Sequence, residues 1–81
     1  MDVFNYEQIP NHMMRVLHRY IYNHEPVGDF LRAVLCNDLM GACGRADSTN
    51  IELLPVYAAY LYNEAPAACH GSKDKYEAWI K

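Results

Sequence analysis

The sequence has no run of like charge and only a small excess of one sign. Its 81 residues carry ten acids and seven Lys or Arg, for a formal net charge of −3. The three lysines, Lys73, Lys75 and Lys81, all stand near the C-terminal end. Nucleic-acid binding through a basic face needs a stripe of Lys and Arg that neutralises several phosphates. We therefore do not expect a nucleic-acid partner.

Long apolar runs and an N-terminal leader pattern are absent as well. No stretch approaches the ~20 apolar residues that a membrane span requires. The opening MDVFNYEQIP has neither the basic nor the apolar region of a signal peptide. Cysteines number three, an odd count that does not suit a disulfide framework. We expect a protein of the reducing cytoplasm without a membrane partner.

Metal-binding and catalytic motifs are also missing from the sequence. A structural zinc site usually has a close ligand pair such as C-x₂-C, whereas Cys36 and Cys43 are seven residues apart and Cys69 adjoins His70. There is no G-x-S-x-G, no phosphate-binding glycine loop and no paired-carboxylate motif. A chain this short also leaves little room for a ligand pocket of about 300–1,000 Å³. We expect no metal, no cofactor and no enzymatic activity.

What the sequence does contain is 52% hydrophobic residues, spaced for helices. Apolar side chains recur every three or four residues from Met13 to Ile21, and no segment alternates as a strand does. Pro10 suits the first position of this helix, and Asn23 suits a left-handed cap before a stop at Pro26. The sequence predicts an all-α fold.

A second helix is predicted to begin after a turn at Gly28, with Asp29 as its N-cap. Its apolar pattern continues as far as Ala42. The dipeptide Asn37-Asp38 either breaks this helix or lies within it, and the sequence leaves both alternatives open.

A third helix is predicted to begin at a cap provided by Asp47 or Asn50. Pro55 lies inside its apolar pattern, which favours either a helix start near Asn50 or a bend in the helix, and of the two we expect the bend. A last helix follows a turn and cap at Gly71-Ser72.

Nearly the same heptapeptide occurs twice, as YIYNHEP at 20–26 and YLYNEAP at 60–66. In both copies an Asn and a Pro mark a helix end, and a Gly with a cap residue then starts the next helix. Because short connections make neighbouring helices antiparallel, we predict a compact bundle of four to five helices arranged as two helical hairpins. Residues 1–9 are expected to form an N-terminal arm and residues 10–81 a single helical domain.

The tyrosines of this repeat have three interpretations. In the first they pack in the core, and the Asn and Pro only end the helices. In the second, Tyr22 and Tyr62 lie one step off the buried stripe and present rings and hydroxyls to a partner, because tyrosine is favoured at binding surfaces. The third is coincidence at two helix ends.

The most polar stretch inside apolar surroundings is CNDLMGACGRADSTN, residues 36–50. One interpretation is two helix caps and an ion pair of Arg45 with Asp38 or Asp47. The other is a recognition surface, on which Gly41 and Gly44 let a partner approach the backbone and Arg45 supplies a bidentate fork. The residues predicted to bind a partner or ligand are Asn37, Asp38, Arg45, Asp47, Asn50, Tyr62, Asn63, Glu64 and His70.

The stretches FLRAVLCNDLMGACGRADSTN and YLYNEAPAACHGSKDKYEAWI resemble a widespread group of small phage-encoded proteins of no settled function. The resemblance covers most of the chain from Ile9 onward. The chain departs from the group at His70, where the group is expected to have Trp. The resemblance therefore does not imply a ring-stacking role at this position. The resemblance implies a phage accessory protein and brings no catalytic residues. The matching positions are Asn37, Asp38, Leu39, Arg45, Ala46, Asp47, Asn50, Leu61, Tyr62, Asn63, Pro66, Gly71, Ser72 and Trp79.

Three hypotheses for the function follow from these features. Small size, acidic balance, missing catalytic motifs and an excess of tyrosine favour a non-enzymatic phage accessory protein that binds and inhibits a host or host-defence protein in the host cytoplasm. The second hypothesis is a small-molecule binder that sequesters a nucleotide-like signal, with Arg45 on an anionic group of the ligand and aromatic rings on its base. The third is a self-assembling structural module, which would form a homo-oligomer.

Overall fold

The computed structural model describes residues 5–81, which form six α-helices and two 3-10 turns and contain no β-strand. The all-α prediction is confirmed, and no helix in this part of the chain is long and apolar enough to cross a membrane. The 3-10 turns are Tyr6–Gln8 and Ala67–Cys69. The helices are α1 (Asn11–Asn23), α2 (Asp29–Leu35), α3 (Leu39–Arg45), α4 (Ser48–Glu52), α5 (Leu54–Glu64) and α6 (Lys73–Trp79).

A single hydrophobic core joins the two halves of the chain. All helices except α4 contribute apolar side chains to it. In the backbone, α2 lies against α3 and also against α6, while α5 lies against the first 3-10 turn. Because α2 belongs to the first half and α6 to the second, the halves share one interior. The largest completely buried side chains are Leu17, Tyr20, Leu35, Tyr57 and Cys69.

The ends of α1 are shifted by one residue from their predicted places. Pro10 is the N-cap, with ψ 143°, and Asn11 is the first helical residue. His24 rather than Asn23 takes the left-handed conformation, with φ 59°. The His24 N–H donates to the Tyr20 carbonyl at 3.1 Å, so the helix continues through Asn23 before it is capped.

A break separates α2 from α3 and settles the alternative that the sequence left open. Asn37 adopts a left-handed conformation, with φ 61°. The Asp38 carboxylate then accepts a hydrogen bond from the Gly41 N–H at 3.0 Å and caps α3. At the start of α2, Gly28 is the N-cap and Asp29 lies in the first turn, so the predicted capping role of Asp29 is wrong.

The predicted third helix is divided at Leu53. Asp47 caps α4, since its carboxylate accepts a hydrogen bond from the Asn50 N–H at 2.7 Å. The chain leaves helical geometry at Leu53, and α5 then begins with Pro55 in its first turn, where no backbone hydrogen bond is lost. Because Pro55 is tolerated only in the first turn of a helix, a new helix has to begin just before it. This explains why the predicted helix is interrupted.

The N-terminal arm predicted for residues 1–9 falls partly outside the described residues. Within residues 5–9, Tyr6 and Ile9 pack on the core. Ile9 is buried, and the Tyr6 ring lies edge-on to Tyr60 with 5.4 Å between the ring centroids. Tyr6 and Ile9 therefore contact the same core as the helices.

Candidate functional site

The two copies of the tyrosine repeat have the same pattern of burial. Tyr20 and Tyr60, which open the copies, are both buried. Tyr22 and Tyr62, which stand two residues later, are 71% and 84% exposed. The first tyrosine of each copy therefore packs in the core, and the third residue of each copy presents a ring to solvent.

The buried tyrosine of the first copy ties α1 to the second half of the chain. The Tyr20 hydroxyl donates to the Cys69 carbonyl at 2.5 Å, and its ring stacks on Tyr76 with the centroids 5.4 Å apart. Burial raises the pKa of Tyr20, and the charge of Cys69 acts in the same direction. Tyr60 is held similarly by the edge of Tyr6, and burial raises its pKa as well. Both buried tyrosines are explained by packing.

The Asn side chains of the two copies have different hydrogen-bond partners. Asn23 donates to the Glu25 carboxylate at 3.3 Å, next to the left-handed cap of α1. Asn63 lies inside α5 and donates to the Tyr6 hydroxyl at 3.1 Å, so it fixes the N-terminal 3-10 turn. The repeat is thus a shared packing pattern with different helix endings.

Tyr62, Glu64 and His70 were predicted to share a binding surface with Asn63. Tyr62, Asn63 and Glu64 are exposed at the end of α5, while His70 is half-buried. Burial lowers the pKa of His70, the Lys75 ammonium lowers it further, and a hydrogen bond involving the Leu61 backbone opposes both effects.

Asp38 and Arg45 line a half-open cavity of about 410 Å³, which we call the charged groove. Its walls come from α2, α3 and α6 and from the segment after α2. This volume falls in the range usual for ligand sites, so the expectation that the chain lacks room for a pocket is wrong. The groove is lined by Asp29, Arg32, Ala33, Cys36, Asp38, Arg45, Lys73, Tyr76 and Glu77.

The charged groove holds three acids and three bases. Charges of both signs act on the pKa of the Cys36 thiol. Arg32 and Lys73 lower this pKa, whereas Asp38 and Glu77 raise it. Burial is the largest effect, and the pKa of Cys36 is raised overall. A ligand in this groove meets no net charge, so the electrostatics favour a molecule that carries both signs over a polyanion.

A second cavity, of about 250 Å³, lies on the other side of Asp38, and we call it the apolar hollow. Asn37 and Asp38 are its polar residues. Leu39, which is 66% exposed, forms part of the wall. The neighbouring Met40 is 82% exposed. The hollow is lined by Val34, Asn37, Asp38, Leu39, Ala42, Leu54, Pro55 and Ala58.

Asp47 and Asn50 have structural roles, in addition to those of Asp38 and Asn63. Asp47 caps α4. Asn50 is 9% exposed, and its side-chain oxygen accepts a hydrogen bond from the Tyr57 hydroxyl at 2.8 Å. The polar stretch at 36–50 is therefore divided between a buried contact, two helix caps and the walls of the two cavities.

Sequence reasoning missed Arg32, Lys73 and Glu77, which complete the charged groove. They stand on α2 and α6, about forty residues apart, and only tertiary packing brings them together. No three His, Cys, Asp or Glu side chains converge as metal ligands within residues 5–81. No protein-family model, curated protein or solved structure matches the chain.

Proposed function

We propose that this protein is a non-enzymatic phage accessory protein that acts in the host cytoplasm by binding and inhibiting a host or host-defence protein. The observation that carries the proposal is the exposure of Tyr22 and Tyr62, 71% and 84%, in a chain that buries their neighbours Tyr20 and Tyr60. The resemblance to small phage-encoded proteins supports the same class.

The chemistry of tyrosine suits such a role. A tyrosine ring buries 150–250 Å² on contact and keeps a hydroxyl for a hydrogen bond at the edge of the contact. Tyrosine is also among the residues that dominate binding energy at interfaces. Among residues 5–81, the aromatic ring paired with Tyr22 is that of His18, at 5.8 Å between centroids. The solvent-facing surface of Tyr22 is free to be covered by a partner.

The proposal is tested with the full chain expressed in a bacterial host and captured by an affinity tag. We expect the double variant Tyr22→Ala/Tyr62→Ala to lose a host protein that the wild type retains, and to lose protection of an infecting phage in a plaque assay. The double variant Tyr22→Phe/Tyr62→Phe is the matched control, because it keeps both rings.

Thermal unfolding separates loss of binding from loss of folding. Both side chains are exposed, so we expect the two double variants to melt within a few degrees of the wild type. Equal capture and equal plaque counts for the alanine variant and the wild type contradict the proposal.

A second candidate function, binding of a small anionic molecule such as a nucleotide-like signal, is favoured by the charged groove. Its volume is adequate, and Arg32, Arg45 and Lys73 offer three cations. Two features weigh against a nucleotide. Three acids line the same groove, and the Tyr76 ring is buried on Tyr20 and offers no face to a base.

A thermal-shift screen tests this candidate. A ligand at about a hundred times its Kd adds about 2.7 kcal/mol to the free energy of unfolding. We expect Arg45→Gln to abolish the shift of a true ligand, while Arg15→Gln, on the exposed side of α1, leaves it unchanged. If no nucleotide raises the Tm, this function is excluded.

A further inference from the structure

The charged groove receives one acid and one base from each of two helices. Asp29 and Arg32 stand three residues apart on α2, and Lys73 and Glu77 stand four residues apart on α6. Residues at these spacings are neighbours on one face of a helix, and α2 lies against α6. All four residues are exposed, so their charged ends are accessible from solvent.

A third pair of opposite charges, Asp38 and Arg45, flanks Gly41 on α3. Oδ1 of Asp38 accepts a hydrogen bond from the Gly41 N–H at 3.0 Å, and Nη1 of Arg45 donates to the Gly41 carbonyl at 3.4 Å. A Cβ at Gly41 would collide with the Asp38 carboxylate and lie 3.1 Å from Nη1 of Arg45. The two charged ends therefore lie close together, beside a residue that has no side chain.

The charged side chains of the groove do not neutralise one another through direct hydrogen bonds. No hydrogen bond between two side chains of residues 5–81 lies in the groove, and the hydrogen bonds of the α3 pair go to the backbone. The charges nevertheless surround one space, because four of them act electrostatically on the Cys36 thiol. These four are Arg32, Asp38, Lys73 and Glu77.

We propose that the charged groove binds a small zwitterion, namely an amino acid or dipeptide with a free ammonium and a free carboxylate. The ligand carboxylate is held by a guanidinium, which donates to both of its oxygens, and two arginines line the groove. The ligand ammonium donates up to three hydrogen bonds and is bound by the carboxylates of the groove. The volume of about 410 Å³ is in the range of such sites.

The ligand needs both signs because acids and bases line the groove in equal number. A purely anionic ligand is attracted by three bases but repelled by three carboxylates, and a purely cationic ligand meets the converse. A zwitterion pairs with an acid and a base at once. The inference therefore differs from the nucleotide-like candidate in the charge of the ligand, and it does not rest on the exposed tyrosines of the proposed function.

The affinity is expected to be modest, because the groove is half-open and solvent screens each ion pair. We expect a Kd of about 1 mM at low ionic strength. Because salt screens exposed charges, binding should weaken at least about threefold in about 0.5 M NaCl.

A chemical-shift titration of the full chain by heteronuclear NMR tests the proposal. The probes are lysine, glutamate, alanyl-alanine and lysyl-glutamate, each used to about 50 mM. Each probe is also used in its Nα-acetyl form, which lacks the ammonium, and in its C-terminal amide form, which lacks the carboxylate. We expect at least one free probe to shift the amide signals of Ala33 and Cys36, and both of its blocked forms to bind at least about tenfold more weakly.

Two variants that each remove one charge locate the site. Arg32→Gln removes a base from the groove and Glu77→Gln removes an acid, and each should weaken binding of the free probe about fivefold. Arg15→Gln and Glu52→Gln are the matched controls, since they make the same changes at exposed positions that do not line the groove. All four positions are exposed, so the Tm should show unchanged folding.

Alkylation of two thiols provides an independent readout. Cys36 lines the groove, whereas Cys43 is exposed and does not line it. A probe bound in the groove should slow the reaction of Cys36 with iodoacetamide and leave that of Cys43 unchanged, as measured by peptide mass spectrometry.

The proposal is overturned if no free probe shifts the groove signals, if the blocked forms bind as well as the free one, or if both groove variants bind like the wild type. Binding of inorganic phosphate or a nucleotide without binding of any zwitterion supports the small-anion candidate in its place. The proposed inhibition of a host protein fails by a different readout, an unchanged capture after substitution of Tyr22 and Tyr62, so the failures are distinguishable.

Discussion

The hydrogen bond from the Tyr57 hydroxyl to the Asn50 side-chain oxygen, 2.8 Å long, is a buried polar contact within the core. Tyr57 is completely buried, with its ring edge-on to Phe30 at 5.4 Å. Burial raises the pKa of this tyrosine to about 12, and the Asp47 carboxylate contributes in the same direction. The hydroxyl therefore stays protonated and remains a donor throughout the physiological range.

We predict that Tyr57→Phe lowers the free energy of unfolding by about 1–3 kcal/mol, because it leaves the buried Asn50 oxygen without a donor. Urea denaturation at low protein concentration measures the change. Tyr62→Phe, which removes an exposed hydroxyl, is the control and should change stability by less than about 0.5 kcal/mol. Equal effects of the two substitutions would contradict the role assigned to the contact.

The half-buried His70 makes stability depend on mildly acidic pH. Burial holds its pKa below the ordinary 6.5 in the folded chain, with a further contribution from the Lys75 ammonium. As pH falls below about 6.5, the unfolded chain takes up a proton before the folded chain does, so the free energy of unfolding decreases. The loss begins at the unfolded pKa and is complete once pH passes below the folded value.

We predict that His70→Gln flattens this part of the stability curve, since glutamine does not titrate. Urea midpoints measured between pH 7 and pH 5 provide the test. A wild type whose stability rises as pH falls through this window would show that the sign is wrong.

At the scale of single elements, α3 is a seven-residue helix with two glycines, each of which costs a helix about 1 kcal/mol relative to alanine. The glycines have different surroundings. A Cβ at Gly44 meets nothing within 4 Å, whereas a Cβ at Gly41 collides with the Asp38 carboxylate. That carboxylate is the cap of the helix, so Gly41 is required by the cap and Gly44 is not.

We predict that Gly44→Ala raises the free energy of unfolding by up to about 1 kcal/mol. Gly41→Ala gains the same helix propensity but displaces a cap worth ~1 kcal/mol, and should be close to neutral. In an Asp38→Ala background the two alanines should become equivalent. The double-mutant cycle is measured by urea denaturation of dilute samples; equal gains in the presence of Asp38 would remove the steric argument.

The elements were largely predictable because their signals are local. The cap at Ser72 was read from residue type and position, and Asp47 was one of two candidate caps beside Asn50; both Ser72 and Asp47 accept an N–H hydrogen bond as caps do. The end of α1 was predicted one residue early, because Asn23 and His24 both tolerate a left-handed conformation. The observed cap is His24, whose N–H donates to the carbonyls of α1. The charged groove was not predictable, since its bases lie on three different helices.

At the scale of the whole molecule, the C-terminal segment closes the structure by direct hydrogen bonds to the first half. The Gly71 N–H donates to the Leu35 carbonyl at 2.7 Å. The indole N–H of Trp79 donates to the Tyr20 carbonyl at 2.9 Å. The centroids of the His24 and Trp79 rings are 4.4 Å apart. These contacts join the ends of α1 and α2 to the segment that follows α5.

We predict that Gly71→Ala lowers the free energy of unfolding by about 1–3 kcal/mol, because φ is +114° at this position and a side chain strains it. Relief of the strain moves the N–H away from Leu35. Gly28→Ser is the control, since its φ of −73° is ordinary and Ser is a preferred N-cap. Thermal unfolding should separate the two variants clearly; a wild-type Tm for Gly71→Ala would show that this link does not hold the halves together.

The Asp38 side chain belongs to both cavities and also holds the first turn of α3. The two depressions therefore share one wall, and that wall is also the cap of a helix. A substitution at Asp38 alters both depressions and the first turn of α3 together.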